Sequence, residues 1–204
     1  NVGMNLNLGR SFHQRLSNDN AFSTPLQSIA QMPISPLFYP VESSLPNYVP
    51  GTELNNDTYY YNGMIHKDFS KYNVTTMRST GTGYFVYKLL PELEFKSEIS
   101  ADIVTGSDDQ WYSPKTAVGF ASAANGGYSS IAWQQTQSYA TSQYLNYSGN
   151  FGQDHKVSGT AGMNYQYNDY NYALAAASGF PNDSFQRLTS AANVLSGTST
   201  GSEY

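Results

Sequence analysis

Four residues in one short run, Asp108, Asp109, Trp111 and Tyr112, are of the types that hydrogen-bond to and stack on a sugar, and Tyr59, Tyr60 and Tyr61 form a second run of rings with polar tips. The plainer reading of either run is a loop that packs its own aromatics. Other chemistry is poorly supplied. His13, His66 and His155 stand far apart without ligand-spaced partners, so no metal site is expected. With 0 cysteines the chain has no thiol nucleophile, no Cys-bound zinc and no disulfide framework, which is compatible with a bacterial envelope protein. Gly81 and Gly83 are strand positions rather than a phosphate-binding loop, and no Ser-His-Asp order stands out. No catalytic residue and no cofactor is expected.

Composition narrows the partners. Charged residues make up 12% of the 204, yet mean hydropathy is −0.48, so the polarity comes from uncharged side chains and 18 tyrosines. A net charge of −5 without a basic stripe argues against nucleic acid. No apolar run approaches the ~20 residues of a membrane-spanning helix, a requirement that a β-barrel does not share.

The elements that would position the two runs are strands. After Pro91, residues Leu93, Phe95, Ile99, Ala101 and Ile103 share one face with the exception of Ser97, while Glu94, Lys96, Glu98, Ser100 and Asp102 share the other. Before it, Phe85, Tyr87 and Leu89 alternate with Tyr84, Val86 and Lys88, and the short connection through Pro91 predicts an antiparallel hairpin. Met77 to Leu89 and Leu93 to Thr105 are each about a dozen residues, longer than the ~5–6 of globular strands and near the ~9–11 that cross a bilayer when tilted. The same alternation places Val2, Met4, Leu6 and Leu8 opposite Gly3, Asn5, Asn7 and Gly9, and Val157, Ala161, Met163 and Tyr165 opposite Ser158, Thr160, Asn164 and Gln166.

The sequence therefore predicts about five strands: Asn1 to Phe12, Val74 to Leu89, Leu93 to Thr105, Ile131 to Phe151 and Lys156 to Tyr167. Two connections are very short, Leu90 to Glu92 and Gly152 to His155. Two are long, Ser17 to Asn73 and Gly106 to Ser130, and the first of these holds a short helix starting near Thr24-Pro25. The tail from Asp169 reads as loop, with a capping-box pattern at Asp183 and Gln186 that predicts a short helix and with no closing strand. Segregation of short and long connections to opposite ends is the pattern of an outer-membrane barrel with long extracellular loops. Because the alternation is already under way at the first residue, the chain is expected to be a piece of a longer protein.

These stretches also resemble a family, the SusC/RagA-like TonB-dependent transporters of the Bacteroidetes outer membrane. The carriers are Asn5-Leu6-Asn7-Leu8-Gly9-Arg10-Ser11, Thr24-Pro25-Leu26-Gln27 through Met32-Pro33, Tyr87-Lys88-Leu89-Leu90-Pro91-Glu92-Leu93, the turn within Tyr147 to His155, and Ser178-Gly179-Phe180-Pro181-Asn182-Asp183. The resemblance implies that residues 1–204 are a segment of one 22-stranded transmembrane barrel. It further implies nutrient import of an oligosaccharide or peptide, a SusD-like surface lipoprotein as lid, and coupling to TonB through N-terminal regions that this sequence does not contain. The competing expectation is a soluble β-rich adhesin or carbohydrate-binding module, which would bury its apolar rows internally rather than against lipid.

Overall fold

The alternation around Pro91 forms the hairpin that its period predicts, with Pro91 and Glu92 as the turn between two long strands. In the computed structural model, which describes residues 1–16, 24–34, 36–38, 62–116, 118–119, 126–152 and 155–204, that hairpin is the middle of a single antiparallel sheet of six strands in chain order. The strands are β1 (Val2–Gln14), β2 (Ser70–Leu90), β3 (Leu93–Tyr112), β4 (Tyr128–Phe151), β5 (His155–Ser178) and β6 (Asn193–Glu203), with two short helices, α1 (Thr24–Ala30) and α2 (Gly63–Phe69), between β1 and β2. The second tight turn follows Phe151, where Gly152 takes a φ of 72° that favours glycine.

Register turns the parity of one strand into a face of the whole sheet, because residues directly opposite each other across a ladder point the same way. Ile99 lies opposite Gly83 on β2 and Thr141 on β4, Thr141 opposite Tyr165 on β5, and Gly83 opposite Met4 on β1. One face thus carries Val2, Met4, Leu6 and Leu8, then Phe85 and Tyr87, Phe95 and Ile99, Leu145, and Ala161, Met163 and Tyr165. The other carries Asn5 and Asn7, Thr80 and Thr82, Ser100 and Asp102, Ser138 and Ser142, and Asn164 and Gln166. The apolar row on β3 runs ten residue steps from Leu93 to Ile103, about 33 Å along the strand and about 25 Å high at a barrel-like tilt of ~40°. Phe85 and Tyr87 stack at 6.1 Å and Tyr147 and Phe151 approach at 6.4 Å, an aromatic rim at the short-turn end of this band.

No second layer among the described residues covers the band. Met4 is 82% exposed, Ile99 61% and Met163 67%. The buried residues, Ile65, Tyr72, Trp111, Tyr112, Ala176, Ala177 and Phe180, all gather at the opposite, long-connection end of the sheet.

Three expectations are corrected. The strands number six rather than about five, and the tail from Asp169 is the end of β5 followed by β6, which pairs from Asp169↔Glu203 to Ser178↔Asn193. The stretch 105–130 is strand at both ends: β3 continues to Tyr112 and β4 begins at Tyr128. The predicted helix after Asp183 is absent, since Gln186 Nε2 donates to the Asp183 carbonyl and the Asp183 carboxylate turns away to accept from Ser113, leaving one 3-10 turn at Leu188–Ser190. The two strand corrections have one cause. Beyond Ile103 polar and apolar residues mix on each face, with Trp133 and Ile131 opposite Ser107 and Asp109 on one and Leu174 and Ala132 beside Asp108 on the other, so no clean period-2 hydrophobic signal survives. The helix at Thr24 and the two tight turns are as expected.

Candidate functional site

Strands β2 to β5 continue past the apolar band to the long-connection end, where part of the wall is buried under the connections and part is open. Outward parity there is mixed: Thr105, Ser107 and Asp109 on β3 lie opposite Gln135, Trp133 and Ile131 on β4, which lie opposite Asn171, Ala173 and Ala175 on β5. Inward parity holds a shallow depression of about 160 Å³ lined by Asp108, Gln110, Ser130, Ala132, Gln134, Tyr172 and Leu174. Asp108 sits five residues beyond Ile103, about 12 Å above the apolar band at the same tilt.

The structure separates the four residues of the first run. They lie on β3, not in a loop, and alternate between faces. Asp108 borders the depression, where Tyr72 Oη donates to it at 3.5 Å, and no lysine, arginine or histidine among the described residues forms an ion pair with it. Asp109 points to the other face and pairs with Lys71 Nζ at 2.6 Å. Trp111 and Tyr112 are 4% and 5% exposed, packed into the small core rather than presenting open rings. Tyr59, Tyr60 and Tyr61 lie outside the described residues. The lining residues that sequence inspection missed, Gln110, Ser130, Gln134, Tyr172 and Leu174, come from three strands and meet only through register; their sole signal in the chain is shared parity.

That core is a cap fastened by polar contacts. Asn62 accepts from the Met64 amide at the start of α2 and donates to the Leu37 carbonyl, and Ser70 Oγ donates to the His66 carbonyl at the end of α2. His66 meets the Tyr112 ring edge-on at 6.3 Å, and burial pushes its imidazole below the ordinary 6.5. Ser113 donates to Asp183 at 2.9 Å, and Lys115 lies over the Phe69 ring at 4.2 Å, so the β1–β2, β3–β4 and β5–β6 connections meet in one place. Ser129 Oγ, fully buried, donates to the Gln110 carbonyl directly behind the depression.

Lower on the inward face, within the height of the apolar band, Arg78 makes a two-point contact with Asp102 at 3.0 and 2.8 Å, and Thr80 donates to the same carboxylate at 2.9 Å. Asn5, Asn7, Gly9 and Thr82 surround the pair. The pair lies on an open polar surface, the Arg78 side chain being 63% exposed. His13, His66 and His155 remain apart, and no group of metal-ligating side chains occurs among the described residues.

Among solved structures, the chain is similar to the RagAB peptide importer in its "closed-closed" state, covering 100% of this chain and 23% of that one at 15% identity and a TM-score of 0.69. A structure of the RagAB peptide transporter matches over 99% of this chain at 12% identity and a TM-score of 0.69, and the importer's "open-open" state over 99% at 14% identity and 0.67. The likeness is one of fold, and this chain spans under a quarter of the length of each chain it matches. No family model and no curated protein matches it. No described helix is long and apolar enough to cross a membrane, which says nothing of a β-barrel.

Proposed function

We propose that residues 1–204 are a segment of the wall of one outer-membrane β-barrel, and that the whole protein is a TonB-dependent transporter importing a nutrient, a peptide or an oligosaccharide, with a SusD-like lipoprotein over its mouth. The observation that carries this reading is the two-faced sheet: an uncovered apolar band about 25 Å high, the thickness of a barrel's lipid-facing girdle, set against a polar face with a bidentate charge pair. A soluble adhesin or sugar-binding sandwich would need a second layer over Met4, Ile99 and Met163, and none of the described residues supplies it. Peptide is the better-supported cargo, because the solved structures of similar fold are peptide importers.

In this reading the short turns face the periplasm, the three long connections face outside, and the cap built on α2 shapes the mouth on which a lid would sit. TonB coupling resides in parts of the protein beyond these residues. The test is made on the full-length protein in its own cells. Expected are recovery in the outer-membrane fraction, a folded form that resists detergent and migrates differently after boiling, and labelling of a cysteine placed at Lys115 by an impermeant reagent added outside. Recovery of the protein as a water-soluble species would overturn the proposal.

A further inference from the structure

We infer that the depression around Asp108 is a subsite for a primary ammonium group of the transported ligand, a conclusion that rests on the importer reading and names the substrate chemistry of that mouth. Its lining has one formal charge, the Asp108 carboxylate, which is half-buried and among the described residues accepts a hydrogen bond from Tyr72 Oη alone, at 3.5 Å. Arg15, which lies over the Tyr72 ring at 5.2 Å, makes no ion pair with Asp108. By contrast Asp109, on the opposite face, and Asp102, lower on the same face, each have a cation in contact. Of the three aspartates on β3, Asp108 alone keeps its charge available to a ligand.

The surroundings fit an alkylammonium better than a neutral sugar. The lining supplies a carboxylate and two side-chain amides, Gln110 and Gln134, whose oxygens are acceptors for the three N–H donors of an ammonium, and charge-assisted bonds of this kind are about twice as strong as neutral ones. Tyr172 offers a ring to the cation, and Leu174 and Ala132 offer apolar surface to the methylenes beside it. The depression is small, about 160 Å³, which suits one side chain or one chain terminus rather than a sugar ring with its full set of hydroxyls. Because Ser129 locks the β3 backbone at Gln110 to the segment at Gln186, the carboxylate is held on a fixed wall and not on a moving loop.

Two sources share this chemistry, a peptide's amino terminus and a lysine side chain, and the experiment separates them. The full-length transporter, purified in detergent with whatever lipoprotein remains bound, is incubated with a random hexapeptide library prepared in four versions: amino terminus free or acetylated, and lysine present or replaced by norleucine. Retained peptides are quantified by mass spectrometry for wild type, Asp108→Asn and Asp108→Glu, each checked for an intact heat-modifiable barrel. The expected result is that Asp108→Asn lowers retention of the amine-bearing peptides about tenfold, leaves peptides lacking both amines unchanged, and is largely rescued by Asp108→Glu. Loss confined to the free-terminus versions assigns the subsite to the amino terminus, and loss confined to the lysine versions assigns it to the side chain. Equal retention by wild type and Asp108→Asn, with peptides bound, overturns the ammonium subsite and leaves the importer reading standing. Failure of wild type to retain any peptide overturns the peptide cargo and the subsite together.

Discussion

The lower and upper halves of the same strands obey different rules. From Leu93 to Ile103, β3 alternates between apolar and polar residues with the one exception of Ser97; from Thr105 to Tyr112 it does not, although the ladder to β2 and β4 runs on without a break. The backbone is therefore indifferent to the change, and the difference lies in what each face meets. Where one face meets lipid and the other water, selection for burial writes a period of two into the sequence. Above Ile103 ladder hydrogen bonds carry the strand on while its side chains divide between two tasks, Trp111 and Tyr112 entering the small core and Asp108 and Gln110 lining the depression with Gln134.

The sharpest way to break that comparison is an arginine scan along β3 in the full-length protein. Ile99→Arg puts a charge in the middle of the apolar band and is expected to cost about 2–4 kcal/mol of barrel stability, read as loss of the heat-modifiable form. Ser100→Arg, one residue away on the wet face, and Ser107→Arg, at Ile99's parity but above the band, are each expected to cost no more than about 1 kcal/mol. A Ser107→Arg loss as large as that of Ile99→Arg would erase the boundary between the halves.

Packing within the wall gives the next effect. On the polar face the Tyr144 ring lies over Gly162, its direct cross-strand partner, and a Cβ at Gly162 would meet Tyr144 Cδ1 at 2.6 Å and the Gln143 carbonyl at 2.9 Å. Gly162→Val is expected to destabilise the barrel by about 1–3 kcal/mol, whereas Gly159→Val, where a Cβ meets nothing within 4 Å, is expected to be near neutral. Thermal unfolding followed by gel mobility separates the two.

The cap should respond independently of the band. Asn62→Ala removes the helix cap and the bond to Leu37, and is expected to cost about 1 kcal/mol in local stability. The readout is faster protease cleavage of the long connections with an unchanged barrel core.

The smallest effect is one of pH. His66 is held below its ordinary 6.5 by burial, so the opened cap binds the proton more tightly than the closed one. Cap stability should therefore be full above the ordinary value, fall as pH drops through it, and level off below the depressed one. His66→Phe should flatten the profile of protease sensitivity between pH 7 and 5.

How much of this was legible in the sequence follows from the same division. The hairpin at Pro91, the first strand and the lower part of β5 were readable because apolar and polar residues alternate there, the period that a wall between lipid and water would enforce. β6 was not: Ser196, Thr198, Thr200 and Ser202 face the same way as Gln134-side residues while Gly197, Ser199 and Gly201 face outward, and small polar residues on both faces carry no alternation. Of the candidate site, Asp108 was picked out by residue type, but its neighbours on β4 and β5 are joined to it only by ladder register. The separation of Asp108 from Asp109 follows from simple parity once that stretch is known to be strand.

The central claim is that the Leu93–Ile103 row faces lipid. Because this chain contains 0 cysteines, single cysteines at Ile99, Ser100 and Ser107 can be labelled with one fluorophore each in an otherwise cysteine-free full-length protein, reconstituted into bilayers with and without spin-labelled acyl chains. Strong quenching at position 99 and little at 100 and 107 is the expected result. Equal quenching at 99 and 100, or none at 99, would contradict it.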